Sequence, residues 1–337
     1  MGNWEDLMKW DPTDPTRPAF PYNKNTCLSI RNHVPPQPYG IGYRMDSWPK
    51  QADRFEIIKS THTEWCLQHP LAETPPHQEQ TTHKLFIIDG IACTDGRGPQ
   101  LVRCRLDAQD RGQIYVAKIY DALYYPFRNK HNGLPVDVTW KADHDYGREA
   151  AAYEELARGR VDGKFTPKYY GSWTFDTMLA GAVRPVRLIL MEWIQGISMY
   201  SLLEEGKTHL FLPEERLEIF AQALEVECRI AWYNVFQEDF APRNVMLVGF
   251  NDKDRTYERI LLIDFNECNV VTKENSKGYG QPTPLPISPR YRYWDCCPEE
   301  FEAWMPKPHC CDDTVFKGWL KIRWGGTLPS FLARTVA

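Results

Sequence analysis

The stretch from Gln237 to Asn266 limits what this chain can fold into more than any other. It reads Q-E-D-F-A-P-R-N-V-M-L-V-G-F, then a charged turn, then R-I-L-L-I-D-F-N. Asp239 and Asn244 lie five positions apart, with Pro242 between them. Val245–Val248 has the composition of a short strand, 251–258 that of a hairpin turn, and 260–263 that of a second strand ending at Asp264. Such a hairpin can hold Asp239, Asn244 and Asp264 around one small volume. Two carboxylates and an amide oxygen suit a hard cation such as Mg²⁺, which takes oxygen ligands and keeps phosphate as a partner.

Asp239-x-x-x-x-Asn244 followed by Asp264-Phe265 resembles the catalytic and metal-binding loops of the protein-kinase-like superfamily. The form D-F-A-P-R-N-V-M-L is most similar to the branch of aminoglycoside- and choline-kinase-like phosphotransferases and fungal kinase-like proteins. The resemblance implies an α+β, bilobal protein-kinase-like fold with an antiparallel-sheet N-lobe and a mainly helical C-lobe. Residues 1–80 are then a proline-rich arm packing on the main domain, 81–193 the N-lobe and 194–337 the C-lobe.

Residues 84–92, 101–106 and 113–120 carry β-branched and aromatic residues separated by turns, T-D-G-R-G-P and D-A-Q-D-R-G. By the resemblance, the first turn covers the ATP phosphates, with Gly90, Gly96 and Gly98 letting backbone N–H groups approach them. Their spacing departs from G-x-G-x-x-G, and ordinary hairpin glycines account for them equally well. Lys118, in I-Y-V-A-K-I-Y, nearly matches the V-A-I-K form of the third strand. A buried ammonium needs a partner. The helix expected over 143–158 offers Glu149, which shares a face with Ala152, Tyr153 and Leu156. Glu154 and Glu155 read as surface charges, and 122–142 as an insertion. The apolar run at 188–191, continuing E-W-I-Q-G, resembles the last small-lobe strand and the hinge. Backbone groups of Glu192 and Ile194 would meet the adenine edge, with Met191 behind it. A core strand ending at Gly196 is the plainer alternative. A long helix is expected over 213–234, with Pro213 in its first turn and an apolar face from Leu217 to Trp232.

Eleven prolines before position 80 prevent long regular elements there, yet Trp4, Trp10, Phe20, Tyr22, Tyr39, Tyr43 and Trp48 are too aromatic for a solvated tail. One helix is expected near 52–68. The net charge of −5 and pI of about 6.0 argue against a broad nucleic-acid surface. No apolar run approaches the roughly 18 residues of a membrane span, and M-G-N-W-E-D-L-M-K-W has no signal-peptide core. Ten cysteines in a chain of 337 residues suggest a reducing, cytoplasmic setting. Cys296 with Cys297 and Cys310 with Cys311 are adjacent pairs, not the C-x(2–4)-C of zinc ligands, so packed reduced thiols are expected.

The implied reaction is ATP- and Mg²⁺-dependent phosphoryl transfer to a hydroxyl. Lys118, held by Glu149, grips phosphates; Asn244 and Asp264 hold Mg²⁺; Asp239 orients the acceptor and takes its proton. Q-E-D replaces H-R-D, and Ala241 stands where protein kinases carry lysine, which favours a small-molecule acceptor while leaving a protein acceptor open. Arg243 either supplies the missing positive charge or salt-bridges the loop. D-F-N replaces D-F-G, with Asn266 as the residue tolerant of positive φ. The rivals are a pseudokinase scaffold and a kinase-fold enzyme of different nucleotide chemistry.

Overall fold

Period-two alternation in the strands around Lys118 is the root of the first sheet. A computed structural model describes residues 3–76, 79–107, 112–281 and 288–325. Pro282, Pro284 and Pro286, and positions 108–111 of the second turn, lie outside these. The chain divides into two compact units, Met1–Glu154 with Tyr169–Trp193, and Glu155–Lys168 with Ile194–Ala337. The N-terminal arm is therefore part of the first unit, and 155–168 goes with the second.

The first unit holds β1 (Cys27–Asn32), β2 (Thr82–Ala92), β3 (Gln100–Leu106), β4 (Tyr115–Tyr120), β5 (Tyr169–Leu179) and β6 (Ala182–Glu192). They form one antiparallel closed sheet in the order β1-β2-β3-β4-β6-β5, with β1 pairing both β2 and β5. Leu85 and Ile87, Val102 and Cys104, Tyr115 and Ala117, Phe175, Leu188 and Leu190 point to a common core. Alternation sends Val116, Lys118 and Tyr120 to the other face of β4. Two strands were not legible in the sequence. β5 was passed over, and β1 buries only Ile30 fully, so its pattern is too sparse to read before β2 and β5 supply its partners. By pairing on both sides, β1 leaves the sheet without an open edge, the feature that otherwise invites unwanted pairing.

The helices of this unit are α1 (Trp4–Lys9), α2 (Arg54–Ile57), α3 (His62–Gln68) and α4 (Val138–Arg158), of which the last residues, from Glu155 on, count with the second unit. The single helix expected near 52–68 is two, because Thr61 starts a new one. Its hydroxyl accepts the Glu64 N–H while Glu64 Oε2 accepts the Thr61 N–H at 2.8 Å, a reciprocal cap. α4 begins at Val138, earlier than expected, so the supposed insertion is in part helix. The arm is tied down by buried charge. Arg184 clasps Asp121 with two bonds of 2.6 and 3.0 Å, and the Tyr22 hydroxyl donates to the same carboxylate at 2.5 Å. Asp137 accepts the Trp65 indole N–H at 3.2 Å.

Asp143 on α4 carries a pH signature. Its Oδ2 accepts the Ala72 N–H at 2.6 Å, while its buried Oδ1 meets no partner among the described residues. Burial, only partly offset by Ala72 and Arg187, pushes its carboxyl up to about 6. The folded state thus holds this proton more tightly than the unfolded chain. The associated stability is full below about pH 4 and is lost as pH rises through about 6. Asp143→Asn is expected to raise stability at pH 7 by up to about 3 kcal/mol. Thermal melts of both proteins across this pH window check it; a variant less stable than the parent at pH 7 would refute the expectation.

The second unit contains β7 (Gly196–Ser198), α5 (Met199–Glu204), α6 (Pro213–Trp232), β8 (Val235–Gln237), β9 (Val245–Val248), β10 (Arg259–Leu262), β11 (Cys268–Val270), α7 (Pro289–Arg292) and α8 (Asp313–Trp324). Pro213 fits the first turn of α6, where no N–H is needed, and Glu215 Oε2 accepts the Leu212 N–H at 2.7 Å. Phe220, Ala221, Leu224, Cys228 and Ala231 are buried along its inner face. Two small antiparallel sheets, β10-β9-β7 and β11-β8, are built on it. No helix among the described residues is long and apolar enough to cross a membrane.

Candidate functional site

In the first unit, strand alternation delivers Lys118 to the face of β4 covered by α4. Its Nζ stands 2.5 Å from Glu149 Oε2, with the two side chains 4% and 0% exposed. The Tyr120 hydroxyl donates to the same Oε2 at 2.7 Å, and the Lys118 ammonium lies 5.9 Å from the Tyr120 ring centroid. Tyr120 was missed in the sequence. It sits two residues after Lys118 on one strand, so period two already placed both on one face. Of the other two candidates on α4, Glu155 is also buried and accepts from Arg158; it is not the surface charge expected.

The glycine turn between β2 and β3 differs from the expectation. The Gly96 N–H donates to Tyr124 O at 3.1 Å, so it is spent within the unit. The Gln100 amide closes the same turn, donating to Thr94 O at 3.0 Å and Gly98 O at 2.8 Å. Arg17 of the arm clasps Asp95 at the tip. Gly96 and Gly98 have φ of 68° and 112°, and Gly90 lies between register shifts of the β2–β3 pair. These are the hairpin and bulge roles that the sequence left as the alternative, and the Gly96 N–H is committed within the unit. Met191 pairs with Val116 and Tyr169, and Glu192 is the last residue of β6, opposite Tyr115. Ile194 belongs to the second unit, where its side chain packs on Val248 and Leu261.

In the second unit, Asn244 and Asp264 flank one hairpin. β9 and β10 pair Val245 with Leu262, and the Ile263 N–H donates to Asn244 O at 2.9 Å, which sets Asp264 beside that junction. The loop carrying Asp239 runs from β8 to β9, and that carrying Asp264 runs from β10 to β11. β8 pairs with β11, so the two loops are bound at both ends. Gln237 cross-links them, its amide donating to Asp264 O at 2.7 Å and Ile263 O at 3.3 Å. This bracing role of Gln237 was not foreseen; only the pairing of β8 with β11 creates it.

The Asn244 amide nitrogen donates to Asp239 O and Asp239 Oδ2, both at 2.8 Å. That assignment leaves the amide oxygen, and not the nitrogen, as the atom of Asn244 able to face a cation. Arg243 donates to Asp239 Oδ1 and, at 2.6 Å, to Glu300 Oε2. These contacts brace the loop. Burial alone would lower the Arg243 guanidinium's pKa, but Glu300 and Asp239 hold it above its ordinary value. The positive φ assigned to Asn266 falls instead on Asp264, at 64°. Asp is among the few residues that take this conformation readily.

The two cysteine pairs are free thiols. Cys310 and Cys311 Sγ lie 3.1 Å apart, and with Glu302 they form a donor group within 4.8 Å.

No family model and no curated protein matches the chain. Solved structures to which it is similar are kinase domains. The BubR1 kinase domain aligns at 13% identity over 60% of this chain and 51% of that one, TM-score 0.37. The ROP18 kinase domain, solved in complex with AMP-PNP and sucrose, aligns at 12% identity over 56% and 53%, TM-score 0.38. The Mycobacterium tuberculosis PknI kinase domain aligns at 14% identity over 54% and 60%, TM-score 0.31. The chain thus spans about half the length of the solved structures it matches. At this level of superposition the chemistry has to be read from the chain's own residues.

Proposed function

We propose that this protein is an ATP- and Mg²⁺-dependent phosphotransferase of protein-kinase-like fold, acting on a hydroxyl of a small molecule in preference to a protein. The observation that carries the reading is the Lys118–Glu149 pair, 2.5 Å apart and excluded from water. A purely structural role explains it poorly, because apolar residues of similar volume are often as stabilising as a buried ion pair. Lys118, aimed by Glu149, would grip the phosphates of the nucleotide. Asn244 Oδ1 and the Asp264 carboxylate are the oxygen donors that suit Mg²⁺. When bound, Mg²⁺ would neutralise charge on the phosphate oxygens. Asp239 accepts two hydrogen bonds on its two oxygens and retains lone-pair capacity for a third donor. It would orient the acceptor hydroxyl and take its proton. Positioning and charge neutralisation would supply most of the acceleration. Ala241 in place of a lysine favours the small acceptor, and the cysteine usage favours a cytoplasmic setting.

A second reading, a nucleotide-binding scaffold without turnover, is favoured by one observation: the Gly96 N–H is committed to Tyr124 O. Turnover of ATP with a panel of hydroxyl acceptors, with and without Mg²⁺, separates the two. The enzyme reading expects Mg²⁺-dependent turnover, reduced about 10²–10³-fold in Asp264→Ala, the scale seen when charge stabilisation is removed. It also expects a phosphoryl group, not a nucleotidyl group, on the product by mass spectrometry. Nucleotide binding without turnover on any acceptor would leave the scaffold.

A further inference from the structure

α4 is an unusual helix to find buried. Its sequence, VTWKADHDYGREAAAYEELAR, is polar on most sides, yet every residue from 142 to 153 is buried. A helix polar all round is held by its partners and not by an apolar stripe. One side faces β4: Tyr146, Glu149 and Tyr153 are spaced three and four residues apart, Glu149 bonds Lys118, and Tyr146 packs on Tyr120 with centroids 5.4 Å apart. The other side carries Trp140, His144, Gly147 and Arg148, and a segment of the N-terminal arm, residues 36–43, is strapped across it.

The strap is fitted closely. The Tyr39 hydroxyl donates to Trp140 O at 2.6 Å, and the Tyr39 ring packs edge-on against Trp140 and His144. Gly40 has φ of 100°, and a Cβ there would stand 2.5 Å from His144 Nε2. A Cβ on Gly147 would be 3.3 Å from Pro36 O. Arg148, 1% exposed, donates to Ile41 O at 3.0 Å and Tyr39 O at 3.4 Å, and its guanidinium lies 5.6 Å from the ring centroid of the buried Tyr43. Successive helical residues are about 100° apart. The residue clamped by the strap is therefore the immediate neighbour of the one that must meet Lys118, on the adjacent face.

We propose that Arg148 is a positioning residue: by locking α4 to the strap it fixes the rotation and height of the helix at which Glu149 reaches Lys118. The importance of this for turnover rests on the phosphotransferase reading above; the mechanical coupling does not. The strap thus supplies backbone acceptors for the buried Arg148 guanidinium and packing for the Trp140 and His144 rings on that side of α4.

The test reads Lys118 directly. A short pulse of N-hydroxysuccinimidyl acetate, well below the melting temperature, is followed by peptide mass spectrometry of acetylated Lys118, with and without MgATP. In nucleotide-free protein, Arg148→Ala is expected to raise the Lys118 acetylation rate by about tenfold or more, the factor for losing hydrogen bonds to a charged group. Gly40→Val, which forces the strap off from its own side, should do the same, and Arg148→Lys should recover part of the protection. Arg184→Ala, which breaks the Asp121 pair elsewhere in the same unit, should leave the Lys118 rate unchanged. Unchanged rates in Arg148→Ala and Gly40→Val, or an equal rise in Arg184→Ala, would overturn the proposal, the latter by showing general loosening. The MgATP arm reports separately: failure of MgATP to protect Lys118 in the parent protein counts against the phosphate-gripping role, while the nucleotide-free rates still decide the strap.

Discussion

Asp239→Asn is expected to lower kcat for phosphoryl transfer by about 10²–10⁴-fold, the usual worth of a positioned general base. The substitution preserves size and leaves a carbonyl oxygen to accept from Asn244, whose amide nitrogen reaches Asp239 Oδ2 at 2.8 Å. It removes the anionic charge that pairs with Arg243 and, on the proposed mechanism, the basicity that would take the acceptor proton. Arg243 keeps Glu300 at 2.6 Å, so the loop retains one of its ionic braces. The loss should therefore appear in kcat, with nucleotide affinity changed little. Single-turnover rates and nucleotide titrations on parent and variant check it. Activity within twofold of the parent would reduce Asp239 to a brace of its own loop, a role its contacts with Arg243 and Asn244 could fill.

Glu149→Ala is expected to cost about 3–5 kcal/mol of stability, because it leaves the Lys118 ammonium buried without its carboxylate. Both side chains are almost fully excluded from water, so little solvent screening softens the loss. Tyr120 would lose its acceptor as well. Replacing the pair together, Lys118→Met with Glu149→Leu, should recover most of that stability, since apolar pairs of similar volume commonly match buried ionic ones. The doubly substituted protein should nonetheless fail to bind nucleotide. Denaturant unfolding of the three proteins closes the cycle. A Glu149→Ala variant within about 1 kcal/mol of the parent would show that the pair is screened or replaced in solution.

Much of this was written locally in the chain. The hairpin that sets Asn244 beside Asp264 follows from two apolar runs and a polar turn, all within one short stretch. Lys118 stood out because a charge flanked by apolar residues on a strand demands a partner, and Glu149 because helical spacing put it on an apolar face. α6 announced itself by Pro213, Glu215 and a periodic face. Other features depended on residues far apart. β1 reads as part of an irregular arm until β2 and β5 pair with it. The sequence leaves Gly96 and Gly98 open between a phosphate cradle and a plain hairpin, and only the fold shows the Gly96 N–H spent on Tyr124 O. Glu155 looked solvated, and Asn266 looked like the residue that bends the loop at Asp264.

By itself, then, the sequence determined the strands around Lys118, the helix behind the Asp239 loop, and the chemical types gathered at each candidate position. These depend on periodicities of two and 3.6, which neighbouring residues express without help. Only the tertiary structure decided which N–H groups are already spent, which residue takes the left-handed turn, and that an N-terminal strap clamps α4 through Arg148. Hydrogen-bond satisfaction and close packing are properties of pairs distant along the chain, and no local pattern records them.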